Sequence, residues 1–306
     1  MCRLCLRGKE KSTRIDFEII SLRGHSKAKW GTFMKSQDEK GRAFYALHQR
    51  QTAFVIPNPW DIGTARLLAQ IGFPALATTS GGYAFSLGLS DGAVSREQMM
   101  EHVSAIAAAT DLPVSADLEN GFGDEPETAA ETIRLAAKAG ACGGSIEDVP
   151  RNRGRAYEFA HALDRVRAAV EAVRSLPFRF TLTARAENFI IGNPNLADTI
   201  KRLQGFQEAG ADVLFAPGLT AAEDISAVVR SVDRPVNVIM GLRSSRLSVA
   251  ELSKIGVRRI SVGSALSRAA LGAFLRAAHE LKDRGSFEFA QQGVDYGEMN
   301  AMFQRG

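Results

Sequence analysis

The sequence is poor in cysteine and has no long hydrophobic run. Three cysteines in 306 residues are too few for a disulfide framework and are typical of a reducing compartment, so we expect a cytoplasmic protein. No apolar stretch is long enough for a membrane span or for the core of a signal peptide. The sequence therefore argues against a disulfide-stabilised secreted domain and against a membrane partner.

The excess of positive charge is confined to the start of the chain. The formal net charge is +4, but residues 1–36 contain nine basic and three acidic residues, which leaves the rest slightly negative. A folded region without a basic excess is not expected to bind nucleic acid. Residues 1–36 also lack apolar periodicity, and we expect a disordered or artefactual leader before a single domain at residues 37–306.

From Phe44 onward the chain alternates between short apolar strands and amphipathic helices. Eight strand–helix units can be distinguished, and several helices end at glycine, as in AQIGFPAL and QEAGADVL. Glycine accepts the left-handed conformation that turns the chain after a helix. Eight such units over roughly 250 residues are typical of a closed parallel barrel rather than a doubly wound sheet. The sequence therefore predicts an α/β fold, a (β/α)8 TIM barrel, with a helical C-terminal extension.

Five of the predicted strands end on polar, mostly ionisable residues. Because the carboxyl ends of the strands of such a barrel meet at one mouth, these side chains are expected to form one site. Burying several carboxylates together is costly unless a cation compensates, so the cluster predicts a metal ion and an anionic ligand. The ionisable members are Asp117, Glu119, Glu147, Asp148, Arg185 and Glu187.

The motifs at these strand ends follow the order found in one enzyme family. TTSGGYAFSLGLSDG, ADLENGFG, GGSIED, TARAENF and EAGADVLFAPG together resemble the isocitrate lyase and phosphoenolpyruvate mutase family, including its carboxyvinyl-carboxyphosphonate phosphorylmutase-like branch, over about residues 44–280. The resemblance implies a barrel that exchanges its last helix with a neighbouring subunit, and hence a homodimer or homotetramer. It also implies a Mg²⁺ cofactor, with Mn²⁺ as the alternative. Known members make or break C–C or P–C bonds beside a 2-oxo or 2-hydroxy carboxylate.

The resemblance also assigns roles to residues at the barrel mouth. It implies that the SGG segment binds the substrate carboxylate, that acids after strands 3 and 4 hold the metal, and that an arginine grips substrate oxygens as a planar fork. Ordinary turn residues, and a simple ion pair between Arg185 and Glu187, are the structural alternatives. The expected catalytic residues are Arg185, Asp91 and Glu187, the expected substrate-binding residues are Ser80, Gly81, Gly82, Tyr83, Arg185 and Asn237, and the expected metal ligands are Asp117, Glu119 and Glu147.

The loop after the fourth strand departs from the family. Lyases of isocitrate-like substrates have K-x-C-G-H there, and the mutase branch has a lysine and an Asn-Ser pair, whereas this chain reads VPRNRGRAYEF. Neither well-known activity is therefore supported in full. We expect a lyase or decarboxylase that acts on a small, oxaloacetate-like 2-oxo or 2-hydroxy carboxylate through an enolate. The alternatives are P–C bond chemistry, as a mutase or phosphonopyruvate hydrolase, and a barrel that binds a metabolite without turnover.

Overall fold

Eight short parallel strands form one sheet that curls into a barrel. The computed structural model describes residues 35–241 and 246–304. In the sheet the strands follow the order β1-β8-β7-β6-β5-β4-β3-β2, and the predicted (β/α)8 barrel is confirmed. The strands are β1 (Phe54–Ile56), β2 (Leu76–Ala77), β3 (Val114–Asp117), β4 (Gly143–Glu147), β5 (Thr181–Arg185), β6 (Val213–Phe215), β7 (Val236–Ile239) and β8 (Arg259–Ser261).

The seam between β1 and β2 is closed by the two residues that follow β1. The N–H of Ala77 donates to the carbonyl of Pro57 at 3.1 Å. The buried Asn58 side chain donates to the carbonyl of Thr78 at 2.9 Å and accepts from two N–H groups just after β8, each at 2.9 Å. Asn58 therefore ties together the carboxyl ends of three strands, which is a structural role.

Helices connect the strands on the outside of the barrel. As predicted, several end at a glycine in the left-handed conformation, for example Gly210 with φ 109°. None of the helices in the described ranges combines the length and the apolar character that a membrane span requires. The helices are α1 (Gln37–His48), α2 (Ile62–Ile71), α3 (Ser80–Ser86), α4 (Arg96–Ala108), α5 (Pro126–Lys138), α6 (Phe159–Arg174), α7 (Leu196–Ala209), α8 (Ala222–Arg230), α9 (Val249–Ile255), α10 (Ala265–His279) and α11 (Tyr296–Gln304), with short helical turns at Glu280–Arg284 and Glu288–Gln292.

Three local features differ from the sequence-based expectation. The two glycines of the SGG segment predict a turn, but the segment is helix α3, because the Thr79 hydroxyl caps it by accepting from the N–H of Gly82 at 3.2 Å. The apolar stripe in the sequence predicts a helix from Ala156 to Arg174, whereas helix α6 begins at Phe159. Helix α1 begins at the predicted start of the domain, before the strand–helix alternation predicted from Phe44 onward, and it has a capping box at Ser36. The rest of the predicted leader, residues 1–34, lies outside the described residues.

The barrel interior is polar, and the apolar core lies between the sheet and the helices. Along β5 and β8 the outward-facing residues, such as Leu182 and Ile260, pack in the main hydrophobic cluster. Polar residues such as Ser115, Ser145 and Ser261 face the interior, beside the apolar Ile56 and Phe215. Most barrels of this type fill the interior with branched apolar side chains. Here the interior instead leaves room for a polar cavity.

Candidate active site

A cavity of about 240 Å³ lies inside the barrel and reaches the carboxyl ends of the strands. Its size suits a small organic acid rather than a large cofactor. It contains residues from β3, β4, β5, β7 and β8 and from the start of α3, so the barrel brings together side chains that are far apart in sequence. The predicted site residues in its wall are Ser80, Gly81, Asp91, Asp117, Glu147, Arg185 and Asn237.

Arg185 is the central charge of the site. It ends β5 and stands in sheet register with Glu147, which ends β4. Its Nη1 lies 2.9 Å from Glu147 Oε1 and 3.2 Å from Asp117 Oδ1, and its Nε lies 2.7 Å from Glu187 Oε1. Arg185 is only 13% exposed, so this arginine and its three carboxylates form a largely desolvated network.

Burial sets the protonation tendencies of this network. Burial raises the pKa of Glu147 and of Glu187, and the positive charge of Arg185 offsets only part of that effect. For Arg185 itself, burial alone would lower the pKa, but the neighbouring carboxylates outweigh it and raise the pKa. The guanidinium therefore stays charged, and its single positive charge does not neutralise the three carboxylates around it.

The start of α3 holds the acids on the β2 and β3 side. The N–H of Ser80 donates to Asp117 Oδ2 at 3.0 Å, and the Ser80 hydroxyl donates to Asp91 Oδ1 at 3.1 Å. A Cβ on Gly82 would lie 2.6 Å from the side chain of Thr79, so only glycine fits under this cap. A Cβ on Gly81 would lie 3.3 Å from Asp91, which keeps this part of the wall close to the acid.

Two arginines attach the loop after β4 to the mouth. Arg151 Nε lies 3.0 Å from Glu119 Oε2, and its Nη2 donates to carbonyls of the connection between α3 and α4. Arg153 lines the cavity, and its Nη2 lies 3.4 Å from Asp91 Oδ2. The loop that lacks the family's cysteine thus presents guanidinium groups to the mouth.

Some of the predicted site residues lie outside the cavity wall. Tyr83 stacks on His102 with ring centroids 3.8 Å apart, so the geometry gives no support to its predicted contact with substrate. Gly82 packs beneath the Thr79 cap of α3 and does not line the cavity. Glu119 and Glu187 also lie outside the cavity wall, where they pair with Arg151 and Arg185, respectively. The expectation that Asp148 meets the other acids at the mouth is wrong, because its carboxylate pairs with Arg202 at 3.1 Å on α7.

The expected metal ligands do not form a ready-made cage. Among residues 35–241 and 246–304, no three acidic, histidine or cysteine side chains surround a common point suited to a metal ion. Arg185 lies between Asp117 and Glu147, and Glu119 faces Arg151.

The charge and the donor atoms nevertheless fit a divalent cation. Oε1 of Glu119 is buried without a hydrogen-bond partner, and burial raises the pKa of this side chain to about 7. The ion pairs of the mouth contain five carboxylates and three guanidinium groups, so two negative charges are in excess when all are ionised. Carboxylate oxygens are the ligands that Mg²⁺ prefers. The residues therefore fit such an ion once Glu119 and Glu147 turn towards it.

Sequence reasoning missed the polar floor of the cavity. Arg259, at the start of β8, lines the same cavity and is only 5% exposed. The inward-facing Ser115, Ser145 and Ser261 surround the lower part of the space. The sequence signal for this floor was the alternation of polar and apolar residues in β7 (VNVI) and β8 (RIS). In such a strand the polar residues face one side of the sheet and the apolar residues face the other.

Comparison with known proteins agrees with this geometry. The family model for phosphoenolpyruvate phosphomutase matches residues 44–282. The chain belongs to the phosphoenolpyruvate phosphomutase family. The predicted relationship to the isocitrate lyase and phosphoenolpyruvate mutase superfamily, whose members are lyases and mutases, is thereby confirmed, as is the prediction of an enzyme.

Several individual relatives are similar to most of the chain. The structure of a proposed lyase/mutase from Burkholderia cenocepacia J2315 is 57% identical, covers 88% of this chain and 97% of its own, and has a TM-score of 0.86. The structure of 2,3-dimethylmalate lyase is 27% identical over 88% of this chain and 93% of its own, with a TM-score of 0.76. The 2-methylisocitrate lyase of Halalkalibacterium halodurans is 26% identical over 83% of this chain and 86% of its own length.

Proposed function

We propose that this enzyme cleaves a carbon–carbon bond in a small 2-oxo or 2-hydroxy carboxylate through an enolate, with Mg²⁺ as cofactor. The observation that carries the proposal is the buried Arg185 network at the wall of a small polar cavity. Its guanidinium is positioned by Glu147, Glu187 and Asp117 and is ready to meet a developing oxyanion. Fixed donors of this kind act most strongly on the charge that forms in a transition state.

The head of the substrate is expected to lie between α3 and β5. Ser80 offers a hydroxyl there, and Gly81 keeps the wall low enough for a carboxylate to approach the backbone. Arg185 faces this position from the opposite wall. When a ligand binds, one of its oxygens would take over a hydrogen bond that Arg185 Nη1 now gives to Asp117 at 3.2 Å.

Magnesium dependence is typical of the superfamily, and the acids at the mouth supply the ligand chemistry. Asp117, Glu119 and Glu147 would hold the ion directly or through water. When bound, the ion supplies a Lewis acid beside the enolate oxygen.

Proton transfer has to work without a thiol at the mouth. Among the described residues, the cysteine is Cys142, which is buried directly before β4. Its Sγ lies 3.6 Å from the carbonyl of Gln37. Arg153 and Asp91 occupy the loop side of the cavity instead. A reaction whose enolate product is protonated by solvent suits this site. An oxaloacetate-like substrate meets that condition by decarboxylation, or by hydrolytic cleavage in which water adds to C2 and the C2–C3 electron pair leaves with C3.

A second candidate is P–C bond chemistry on phosphonopyruvate. Arg153 favours it, because this guanidinium lines the cavity and pairs with Asp91 only at 3.4 Å. An arginine is well suited to a phosphonyl group, which accepts paired hydrogen bonds.

A substrate panel tests the two candidates. Oxaloacetate, alkylmalates, methylisocitrate and phosphonopyruvate are each incubated with the enzyme and Mg²⁺, and products are identified by NMR. We expect C–C cleavage of oxaloacetate or an alkylmalate, lost on chelation of the metal. Phosphate or phosphoenolpyruvate formed from phosphonopyruvate alone would establish the second candidate, and binding without any product would indicate a barrel that binds a metabolite without turnover.

A further inference from the structure

Arg259 is a buried cation at the floor of the cavity. It begins β8, faces the barrel interior and is only 5% exposed. Its Nε donates to Asn237 Oδ1 at 2.9 Å, and its Nη2 donates to the Thr183 hydroxyl at 3.0 Å. Its Nη1 lies 3.5 Å from Nε2 of His48. The side chain therefore crosses from β8 towards β5, below the level of Arg185.

None of these partners carries a negative charge. His48 donates from Nδ1 to the carbonyl of Phe44 at 2.9 Å, which leaves its Nε2 as an acceptor towards Arg259. Burial lowers the pKa of His48 to about 3, so the ring is neutral. Within the described part of the chain, no carboxylate lies within ion-pair distance of Arg259.

The charged form of Arg259 is therefore energetically unfavourable in this buried position. Burial lowers its pKa to about 9, and the positive charge of Arg185 contributes in the same direction. Removing a cation from water without an opposite charge is one of the most expensive arrangements in a protein interior. A neutral side chain at this position would avoid that cost, and the neutral partners of Arg259 do not supply the missing negative charge.

Other buried arginines of the chain are compensated. Arg202 pairs with both Asp148 and Asp198, at 3.1 and 2.8 Å. Arg165 donates to several backbone carbonyls of the loop after β3, including that of Gly123 at 2.8 Å. Neither of these lines the cavity. Arg165 also lacks an acid, but backbone carbonyls surround its guanidinium. Arg259 alone of these three lines the cavity, and its partners are an amide, a hydroxyl and a neutral imidazole.

The surroundings of Arg259 suit an anion. The inward-facing hydroxyl groups of Ser115, Ser145 and Ser261 line the same space and are neutral donors. The acids of the wall lie at the strand ends, on the level of Arg185 and above. The mouth of the cavity is therefore acidic and suited to a metal ion, whereas its floor is cationic and lined by hydroxyl groups.

We propose that Arg259 is a specificity-determining residue that binds the second carboxylate of a dicarboxylate substrate. This inference rests on the proposed function, in which the 2-oxo or 2-hydroxy end of the substrate lies at the mouth beside Arg185. The second carboxylate then supplies the counter-charge that Arg259 lacks. A volume of about 240 Å³ accommodates a dicarboxylate of four or five carbons between the two arginines.

The position of the second carboxylate bears on which bond breaks. A carboxylate that leaves as CO₂ loses its charge, and Arg259 would again be unpaired in the barrel interior. Binding to Arg259 would therefore stabilise the starting state and slow decarboxylation. Cleavage between C2 and C3 of a 2-hydroxy dicarboxylate keeps that charge. The hydroxyl proton passes to water, C2 becomes a carbonyl, the bonding electron pair passes to C3 and its carboxylate, and solvent protonates C3.

A pair of matched ligands tests Arg259. Malate and 2-hydroxybutyrate have the same four-carbon chain and the same 2-hydroxy carboxylate, but only malate has a second carboxylate. Both enantiomers of each are titrated into the Mg²⁺-loaded protein by calorimetry. The variants are Arg259→Gln, Arg259→Lys and the control Arg258→Gln, whose partly exposed side chain donates to the carbonyl of Gln51 at 2.9 Å.

The wild-type protein is expected to prefer malate by at least about tenfold, because opposite charges attract more strongly in the low-dielectric interior than in water and Arg259 is already desolvated. Arg259→Gln should reduce the preference to below about threefold by weakening malate alone. Arg259→Lys retains the charge and should restore part of the preference, which a purely structural role would not do, and Arg258→Gln should behave as wild type. If Arg259→Gln does not fold, the intermediate preference of Arg259→Lys decides.

Two failures can be told apart. Equal binding of the two acids to the wild-type protein, or an unchanged preference in the Arg259 variants, overturns the role of Arg259 while the proposed function stands. If neither acid binds the wild-type protein in the presence of Mg²⁺, the head-group site of the proposed function fails, and the inference fails with it.

Discussion

Arg185 and Glu147 are partners both in the backbone and in the side chains: they stand in register on adjacent strands, and Nη1 lies 2.9 Å from Oε1. Short strands with fixed register therefore deliver the guanidinium to the carboxylate without help from a loop. Since Glu187 and Asp117 join the same guanidinium, one arginine balances a group of acids that no other side chain reaches as closely. This network of Asp117, Glu147 and Glu187 therefore depends on one cation.

The first prediction is that Arg185→Ala abolishes turnover and destabilises the fold. Removing the guanidinium takes away the oxyanion donor, for which a loss of at least about 10²-fold in kcat is typical. It also leaves Glu147 and Glu187 buried without compensation, which costs about 3–5 kcal/mol of unfolding free energy. Steady-state kinetics and urea denaturation measure the two effects.

Arg134→Ala is the matched control for this variant. Arg134 forms exposed pairs with Glu127 and Glu131 at 2.8 and 3.1 Å, and exposed pairs contribute about 0–1 kcal/mol. Its activity and unfolding midpoint should stay close to wild type. Retention of normal kcat in Arg185→Ala would contradict the assignment of the oxyanion donor.

The second prediction concerns the loop after β4. Arg153→Ala should lower kcat/KM by about tenfold or more, because it removes a cation from the cavity wall and frees Asp91. Arg155→Ala is the control, since Arg155 is 87% exposed and pairs only with the exposed Glu158. Equal kinetics for the two variants would show that the loop arginines do not serve the reaction.

The sequence predicted the barrel well because its signals are local. Each strand is a short apolar run, and glycines such as Gly210 mark helix ends through their backbone freedom. It also predicted that Asp117, Glu147 and Arg185 meet at one mouth, as they do in the structure, since parallel strands must end there. The ion pairs could not be predicted, because they depend on how the helices and loops pack in three dimensions. Glu119 pairs with Arg151 from the loop after β4, and Asp148 pairs with Arg202 from α7.

The role of Arg259 was hidden for a related reason. A charged residue at the start of a strand is usually exposed, and only the direction of alternation in β8 turns this side chain into the barrel. The helical conformation of Ser80–Ser86 was missed because two glycines argue for a turn, whereas the Thr79 cap and the fit of Gly82 beneath it favour a helix.

The third prediction is that thiol alkylation leaves the activity intact. Cys142 is buried, and burial raises the pKa of its thiol to about 11, so little reactive thiolate is present at pH 8. The enzyme is treated with iodoacetamide under native conditions, modification is mapped by mass spectrometry, and activity is followed. Loss of activity that tracks modification of Cys142 would show that a thiol takes part in the reaction.

The fourth prediction is that the enzyme is a homodimer or homotetramer that uses α10. Phe274 and Leu275 on this helix are 66% and 55% exposed, which is unusual for neighbouring large apolar side chains. Introducing a charge with Phe274→Glu should reduce the mass measured by light scattering, whereas Arg230→Glu on α8 should not. A monomeric wild-type protein would refute the prediction.

The fifth prediction is that His48 makes the fold sensitive to acid. Burial, together with the nearby Arg259 and Arg179, lowers the pKa of His48 to about 3, against about 6.5 in the unfolded chain. The unfolded state therefore binds the proton first as the pH falls, and stability that is present above pH 6.5 is lost progressively towards pH 3. At pH 5 the loss amounts to about 2 kcal/mol by linkage.

His48→Gln cannot titrate in this range, so its unfolding free energy should fall less between pH 7 and pH 5 than that of the wild type. His161→Gln, at a partly exposed ring that contacts the carbonyl of Asp124, should keep the wild-type slope. Chemical denaturation at a series of pH values measures all three slopes, and identical slopes for His48→Gln and the wild type would show that His48 is charged in the folded protein.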